Sequence, residues 1–186
     1  MTPPLLIPIS GGPGAGKSTL LAALRQQGYA CAEEVSRQLI QEQVALGNGL
    51  VPWQNLAGFA EIALAQMVAQ HEQARQGGGI TFFDRGIPDI IAYLEVGGVP
   101  VADIYYQALQ RHPYHPEVLL APPWPAIYVN DAERWQTLAE AVELARALRG
   151  TYERLGFRLV ELPLVPVSER VAFVRSWLAA SLGRPR

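Results

Sequence analysis

One nine-residue stretch constrains this chain more than any other: Gly11-Gly12-Pro13-Gly14-Ala15-Gly16-Lys17-Ser18-Thr19. It satisfies G-x-x-x-x-G-K-[ST], with Gly11, Gly16, Lys17 and Ser18 on the fixed positions. An apolar run, Leu5 to Ile9, precedes it and reads as a short buried strand; Thr19 to Leu24 follows it and reads as a helix. Glycines let backbone wrap an anion at φ values that other residues resist. The exposed N–H groups and the positive helix end then face phosphate oxygens. Lys17 can reach the outer phosphates of a nucleoside triphosphate, and the Ser18 hydroxyl can ligate Mg²⁺.

The rest of the chain is compatible with one enzyme-sized domain spanning 1–186. A hydrophobic content of 49% and a charged content of 17% argue against disorder. The net charge of −2 offers no bulk attraction to nucleic acid or an anionic membrane. Cys31 is the single cysteine, so no internal disulfide is expected. No signal peptide and no apolar run long enough for a membrane span are visible, so a cytoplasmic location is expected. Lys17 is the sole lysine among 15 basic residues.

Helices are expected over Lys17–Gln27, Ser36–Leu46, Trp53–Gln76, from Pro88 to about Val96, Val101–Gln110, Asp131 to about Leu155, and Ser168–Ser181. The third has the clearest stripe: Leu56, Phe59, Ala60, Ala63, Leu64, Met67, Val68 and His71 share a face. In the sixth, the inward stripe is expected to be Trp135, Leu138, Val142, Ala145 and Tyr152. Strands are expected at the first apolar run and at Tyr29–Glu34, Ile80–Phe83, Glu117–Ala121 and Phe157–Leu162. Five strands alternating with helices predict an α/β, three-layer fold around a parallel sheet. Ligands on such sheets bind at the carboxyl ends of strands.

Those ends carry the candidate residues. Asp84 follows the third strand, the place of a Walker B carboxylate that holds Mg²⁺ directly or through water. Arg85 follows it, close to a helix start where a cation opposes the dipole. Arg85 is open to two readings, a clamp on phosphate or acceptor and an ion pair with Asp89. After the second strand come Glu33, Glu34 and Arg37; strand alternation sends the two glutamates to opposite sides, so either could be the one in the pocket. Glu34 and Arg37 are candidates for acceptor binding, against a plain surface pair. After the fourth strand a Pro-rich turn leads to Asp131 and Arg134, candidates for a helix cap and a phosphate-facing lid arginine respectively, with the alternative that they pair with each other. His71, His112 and His115 lack metal-ligand spacing, and His71 is expected in the core.

These elements, in one order, resemble a known family. Residues 11–19, Glu34-Val35-Ser36-Arg37, Asp84-Arg85-Gly86-Ile87-Pro88-Asp89 with Ala92-Tyr93, Asp131-x-x-Arg134 and Tyr152-x-x-Leu155-Gly156-Phe157 are similar to the small AAA-domain ATPases grouped with the ribosylnicotinamide kinase domain of the bacterial NAD-biosynthesis regulator. The resemblance covers about residues 5–178. It implies a nucleoside or nucleotide kinase-like fold with adjacent Walker A and Walker B strands and a helical lid at about 122–155. It implies ATP and Mg²⁺ on Lys17, Ser18 and Thr19, with Asp84 near metal and acceptor, and suggests Arg134 in the lid.

The expected activity is ATP- and Mg²⁺-dependent phosphoryl transfer to a small hydroxylated acceptor such as a nucleoside or nucleotide. Lys17, Asp84, Arg85 and Arg134 would be catalytic. Gly11 through Thr19 would hold the triphosphate, Ser18 and Asp84 the metal, and Glu34, Arg37 and Asp89 the acceptor. The alternative is a nucleotide-binding switch with slow hydrolysis that recruits a protein partner. A ring-forming ATPase is disfavoured by the short chain, and the absence of N-K-x-D gives no indication of Ras-type guanine recognition.

Overall fold

A computed structural model describes residues 3–127 and 138–183. Among them, β1 (Leu5–Gly11), α1 (Lys17–Gln26), β2 (Ala30–Ala32), α2 (Val35–Leu46), α3 (Leu56–Gly77), β3 (Ile80–Asp84), α4 (Ile87–Val96), α5 (Asp103–Arg111), β4 (Glu117–Ala121), a short 3₁₀ turn (Pro125–Ile127), α6 (Leu138–Arg154), β5 (Arg158–Glu161) and α7 (Val167–Leu182) follow in order. The five strands form one sheet, β2-β3-β1-β4-β5, and every pairing is parallel.

Period-two alternation sorts the strand side chains into two cores. Leu6 and Phe83 share a core with α2, α3, α4 and α5 through Leu39, Phe59, Met67, Ile91 and Tyr105. Leu5, Ile7, Ile9 and Phe82 face α1 and α7 through Leu20, Leu24, Val174 and Leu178. Fully burying one such side chain contributes about 1.5–3 kcal/mol, so both faces of the three central strands are strongly held. The continuous apolar runs of β1, β3 and β4 follow from this two-sided burial.

Several local expectations shift. β2 is shorter than Tyr29–Glu34. α3 begins at Leu56, not Trp53, because Asn55 accepts a hydrogen bond from Gly58 N at 2.9 Å and caps the helix there. The inward stripe of α6 is Ala141, Leu144, Ala145, Leu148 and Tyr152, whereas Val142 is exposed. The expected stretch from Asp131 to residue 137, with Trp135, lies outside the described residues.

The register places the functional strand ends together. Ile9 of β1 pairs with Asp84 of β3, and Gly11 with Ala121 of β4. The loop after β1 therefore has β3 and then β2 on one flank, β4 and then β5 on the other.

Candidate active site

The loop between β1 and α1 is fixed by glycine. Gly11 has φ +144°, and a Cβ on it would lie 2.4 Å from the carbonyl oxygen of Ala121 on the neighbouring strand, so there is no room for a side chain. Gly16, the residue before α1, is left-handed at φ 79°. Lys17 is buried, and its Nζ donates to Gly11 O at 2.9 Å and Gly12 O at 3.1 Å, spanning the loop. Burial lowers the Lys17 pKa and Arg85 adds to that, while Asp84, Glu34 and Asp89 pull the other way.

Ser18 Oγ donates to Asp84 Oδ2 at 3.4 Å. The other oxygen, Asp84 Oδ1, is buried with no hydrogen-bond partner. Burial raises the Asp84 pKa; the Lys17 charge opposes this, and Glu34 reinforces it. A hydroxyl beside a carboxylate with a spare buried oxygen is a hard-oxygen donor set of the kind Mg²⁺ takes, with its other positions on water and phosphate. The pair therefore fits that ion. No group of three or more His, Cys, Asp or Glu side chains suited to a metal occurs among the described residues.

Arg85 ties the flank together. It is the one non-glycine residue with positive φ among the described residues, at 76°, a conformation that costs about 1–2 kcal/mol. Its backbone N–H donates to Ile9 O at 3.1 Å. Its Nε donates to Glu34 Oε1 at 3.0 Å, and its Nη1 to Gly11 O at 3.2 Å and Asp89 Oδ1 at 3.3 Å. The guanidinium also lies over the Tyr93 ring at 5.3 Å. Burial opposes the Arg85 charge, but Tyr93, Glu34 and Asp89 outweigh it and hold the pKa well above the usual arginine value. Both sequence-level readings of Arg85 meet here, since it pairs with Asp89 and also borders the cavity.

The two glutamates separate, though both lie past the end of β2 at Ala32, so the turn into α2 rather than strand alternation divides them. Glu33 points outward to Arg25 at 3.1 Å. Glu34 turns inward at the start of α2 and lines the cavity. Burial would raise its pKa, but Arg85 and then Lys17 more than reverse that, taking it from 4.5 to about 2. Arg37 stands one turn along α2 on the same wall and adds to that field.

Asp89 borders the cavity too, but it is 1% exposed. Its carboxylate accepts from Ser10 Oγ at 2.8 Å, Gly86 N at 2.9 Å and Tyr152 Oη at 2.5 Å, besides Arg85. Four donors occupy it.

Pro13 through Thr19, Glu34, Arg37 and Arg85 line one continuous cavity of about 390 Å³. Gly11 and Gly12 stand behind the loop, where their carbonyls hold Lys17. The far half of the cavity is apolar, with Ile40, Trp53, Phe59, Met67, Ile90 and Tyr93 in its wall. Sequence reasoning read Phe59 and Met67 only as core; their place on the α3 stripe gives no sign that part of that stripe faces a chamber. Arg134 lies outside the described residues. His71 sits in the core, with Nε2 3.0 Å from Pro113 O.

The fold is that of known kinases. Deoxyadenosine kinase from M. mycoides, with dCMP and a flexible dCDP bound, superposes with a TM-score of 0.65 at 17% identity, over 95% of this chain and 100% of that one. Thymidylate kinase from Candida albicans superposes with a TM-score of 0.67 at 14% identity, over 96% and 92%. The NadR protein in complex with NR gives 0.68 at 17% identity over 98% of this chain, which spans 52% of that longer one. No curated protein matches. The model of the AAA domain family matches residues 6–170, and the chain belongs to that family.

Proposed function

We propose that this chain is an ATP- and Mg²⁺-dependent phosphotransferase acting on a small hydroxylated acceptor of the nucleoside or nucleotide type. The observation that carries the proposal is the continuity of one cavity from the phosphate loop, past Glu34 and Arg85, into the apolar chamber. A hydrolytic switch has no need of an apolar chamber beside its outer-phosphate site. The kinase structures of the same fold support the reading.

The loop N–H groups and Lys17 hold the outer phosphates. Ser18 and Asp84 would hold Mg²⁺, which neutralises charge on the transferring group when bound. An acceptor whose ring fills the chamber brings its hydroxyl to Glu34, kept ionised by Arg85 and suited to accept that hydroxyl's hydrogen bond. The acceptor oxygen then forms a bond to the terminal phosphorus as the bond to the diphosphate breaks. The hydroxyl proton leaves toward the carboxylates. Arg85 stabilises charge at the acceptor side, and Arg134 is proposed as a second cation on the transferring group. Asp89, filled by its four donors, acts on the acceptor through Arg85.

The test is ADP release with ATP and Mg²⁺ across nucleosides, nucleoside monophosphates, sugars and aminoglycosides. Release that depends on one acceptor class is the expected result. Slow release independent of every acceptor would replace the transferase with the switch.

A further inference from the structure

The junction between the phosphate loop and the apolar chamber carries an uneven charge. Among the described residues, the cavity wall holds three cations, Lys17, Arg37 and Arg85. Lys17 is tied to the Gly11 and Gly12 carbonyls and serves the transferring phosphate. Arg85 is committed on its own wall, to Glu34 Oε1 at 3.0 Å and to Asp89 Oδ1 at 3.3 Å. One guanidinium thus answers two carboxylates, and the cluster keeps an excess of negative charge. Asp89 is sealed at 1% exposed, whereas the Glu34 side chain is 22% exposed and borders the cavity. A ligand therefore meets that excess at Glu34. Burial opposes the Glu34 charge, but Arg85 and then Lys17 keep the group ionised.

The two acceptor types that share this fold differ at this place. A nucleoside offers a neutral hydroxyl, which can donate to a carboxylate. A nucleoside monophosphate offers a phosphate oxygen in a group of about −1.5 to −2 charge at pH 7. That group has no proton for Glu34 to accept, and its charge is of the same sign. Arg37, the cation on which a monophosphate would rely, stands one turn along α2 from the same carboxylate. Any phosphate that it held would remain in the field of Glu34. Like charges brought together at a partly desolvated site are a strong device for rejecting a wrong ligand.

We propose that Glu34, joined to Asp89 through their shared Arg85, makes the site selective for an unphosphorylated hydroxyl acceptor and rejects the corresponding monophosphate. The proposal rests on the phosphotransferase reading above and narrows its acceptor from nucleoside or nucleotide to nucleoside. The acceptor oxygen bonds to the terminal phosphorus, the bond from that phosphorus to ADP breaks, and the hydroxyl proton passes by way of Glu34 to solvent. The product then carries the charge that Glu34 opposes, so transfer stops at one phosphate per acceptor.

The test measures kcat/KM with ATP and Mg²⁺ for each common ribonucleoside and deoxyribonucleoside against its own monophosphate, in the wild type and in Glu34→Gln. In the wild type the best nucleoside should exceed its monophosphate by roughly a hundredfold or more. Glu34→Gln keeps the shape and removes the charge. It should lower turnover of the nucleoside and, in the opposite direction, tighten the monophosphate as a competitive ligand by roughly tenfold. A residue that only braced the wall would weaken both. A wild type that phosphorylates monophosphates as well as nucleosides would overturn the proposal and leave the phosphotransferase standing. Unchanged selectivity in Glu34→Gln would overturn the assignment to Glu34. The wild-type ratio decides the acceptor class by itself, so the test does not depend on the variant folding. A wild type that transfers to neither class would remove the phosphotransferase reading itself.

Discussion

The Tyr152 hydroxyl donates to Asp89 Oδ2 at 2.5 Å, joining α6 to α4 across 63 positions of sequence. Asp89 in turn receives Arg85, and Arg85 holds Glu34. One phenol on a helix beyond the sheet thus sets the position of two groups in the cavity. Tyr152→Phe preserves the buried ring and leaves Oδ2 with Gly86 N alone. Unfolding in urea should show a loss of about 1–3 kcal/mol, and transfer should slow because Arg85 is less firmly held. Wild-type stability in that variant would make the bond energetically idle.

Arg85→Lys should be more damaging than its conservative look suggests. A single ammonium cannot reach Glu34, Gly11 O and Asp89 as the fork does. We expect kcat to fall by roughly a hundredfold while ATP affinity changes little, because the residue serves the acceptor side. Steady-state kinetics at saturating ATP would show this. Full turnover in Arg85→Lys would leave the residue a structural tie.

Lys17→Ala should abolish transfer and weaken triphosphate binding more than monophosphate binding, since the ammonium reaches the outer phosphates. Calorimetric titration with ATP and AMP measures both. Equal ATP affinity in variant and wild type would remove the loop from catalysis.

Glu34 gives a signed pH dependence. Its pKa is about 2 in the fold against 4.5 ordinarily. Between those values the unfolded chain binds the proton and the folded one does not, so the contribution is full above about pH 4.5 and is lost as pH falls toward 2. Glu34→Gln should flatten that part of the stability profile. Urea unfolding of both proteins at pH 3 and pH 6 reads the difference. An identical pH slope in the two would mean that the Arg85 pair does not set the ionisation of Glu34.

The fold was legible because its signals are local. The phosphate loop, the two-sided apolar strands and the α3 stripe each show within a dozen or so residues. The start of α3 was read three residues early, at Trp53, because a continuous helical pattern hides the cap at Asn55. Of the cavity wall, the sequence pointed to the phosphate loop and to Glu34, Arg37, Arg85 and Asp89, all close to strand ends. Sequence alone left Glu33 and Glu34 undivided, because alternation states that they differ but not which faces in. Phe59 and Met67 carry the same chemistry whether they meet a core or a chamber. Tyr152 acts through a partner 63 positions away, a separation that no periodicity encodes.

The sheet ends on both sides in very short strands, three residues in β2 and four in β5, while the longer apolar strands lie between them. An edge of that length exposes few unpaired N–H and C=O groups, and those are the template on which a second copy would add by cross-chain pairing. The long strands, which would zip readily if bared, are shielded. Concentrated stocks should therefore resist β-type self-association for as long as β2 and β5 stay docked, and substitutions that undock either edge should surface first as precipitation.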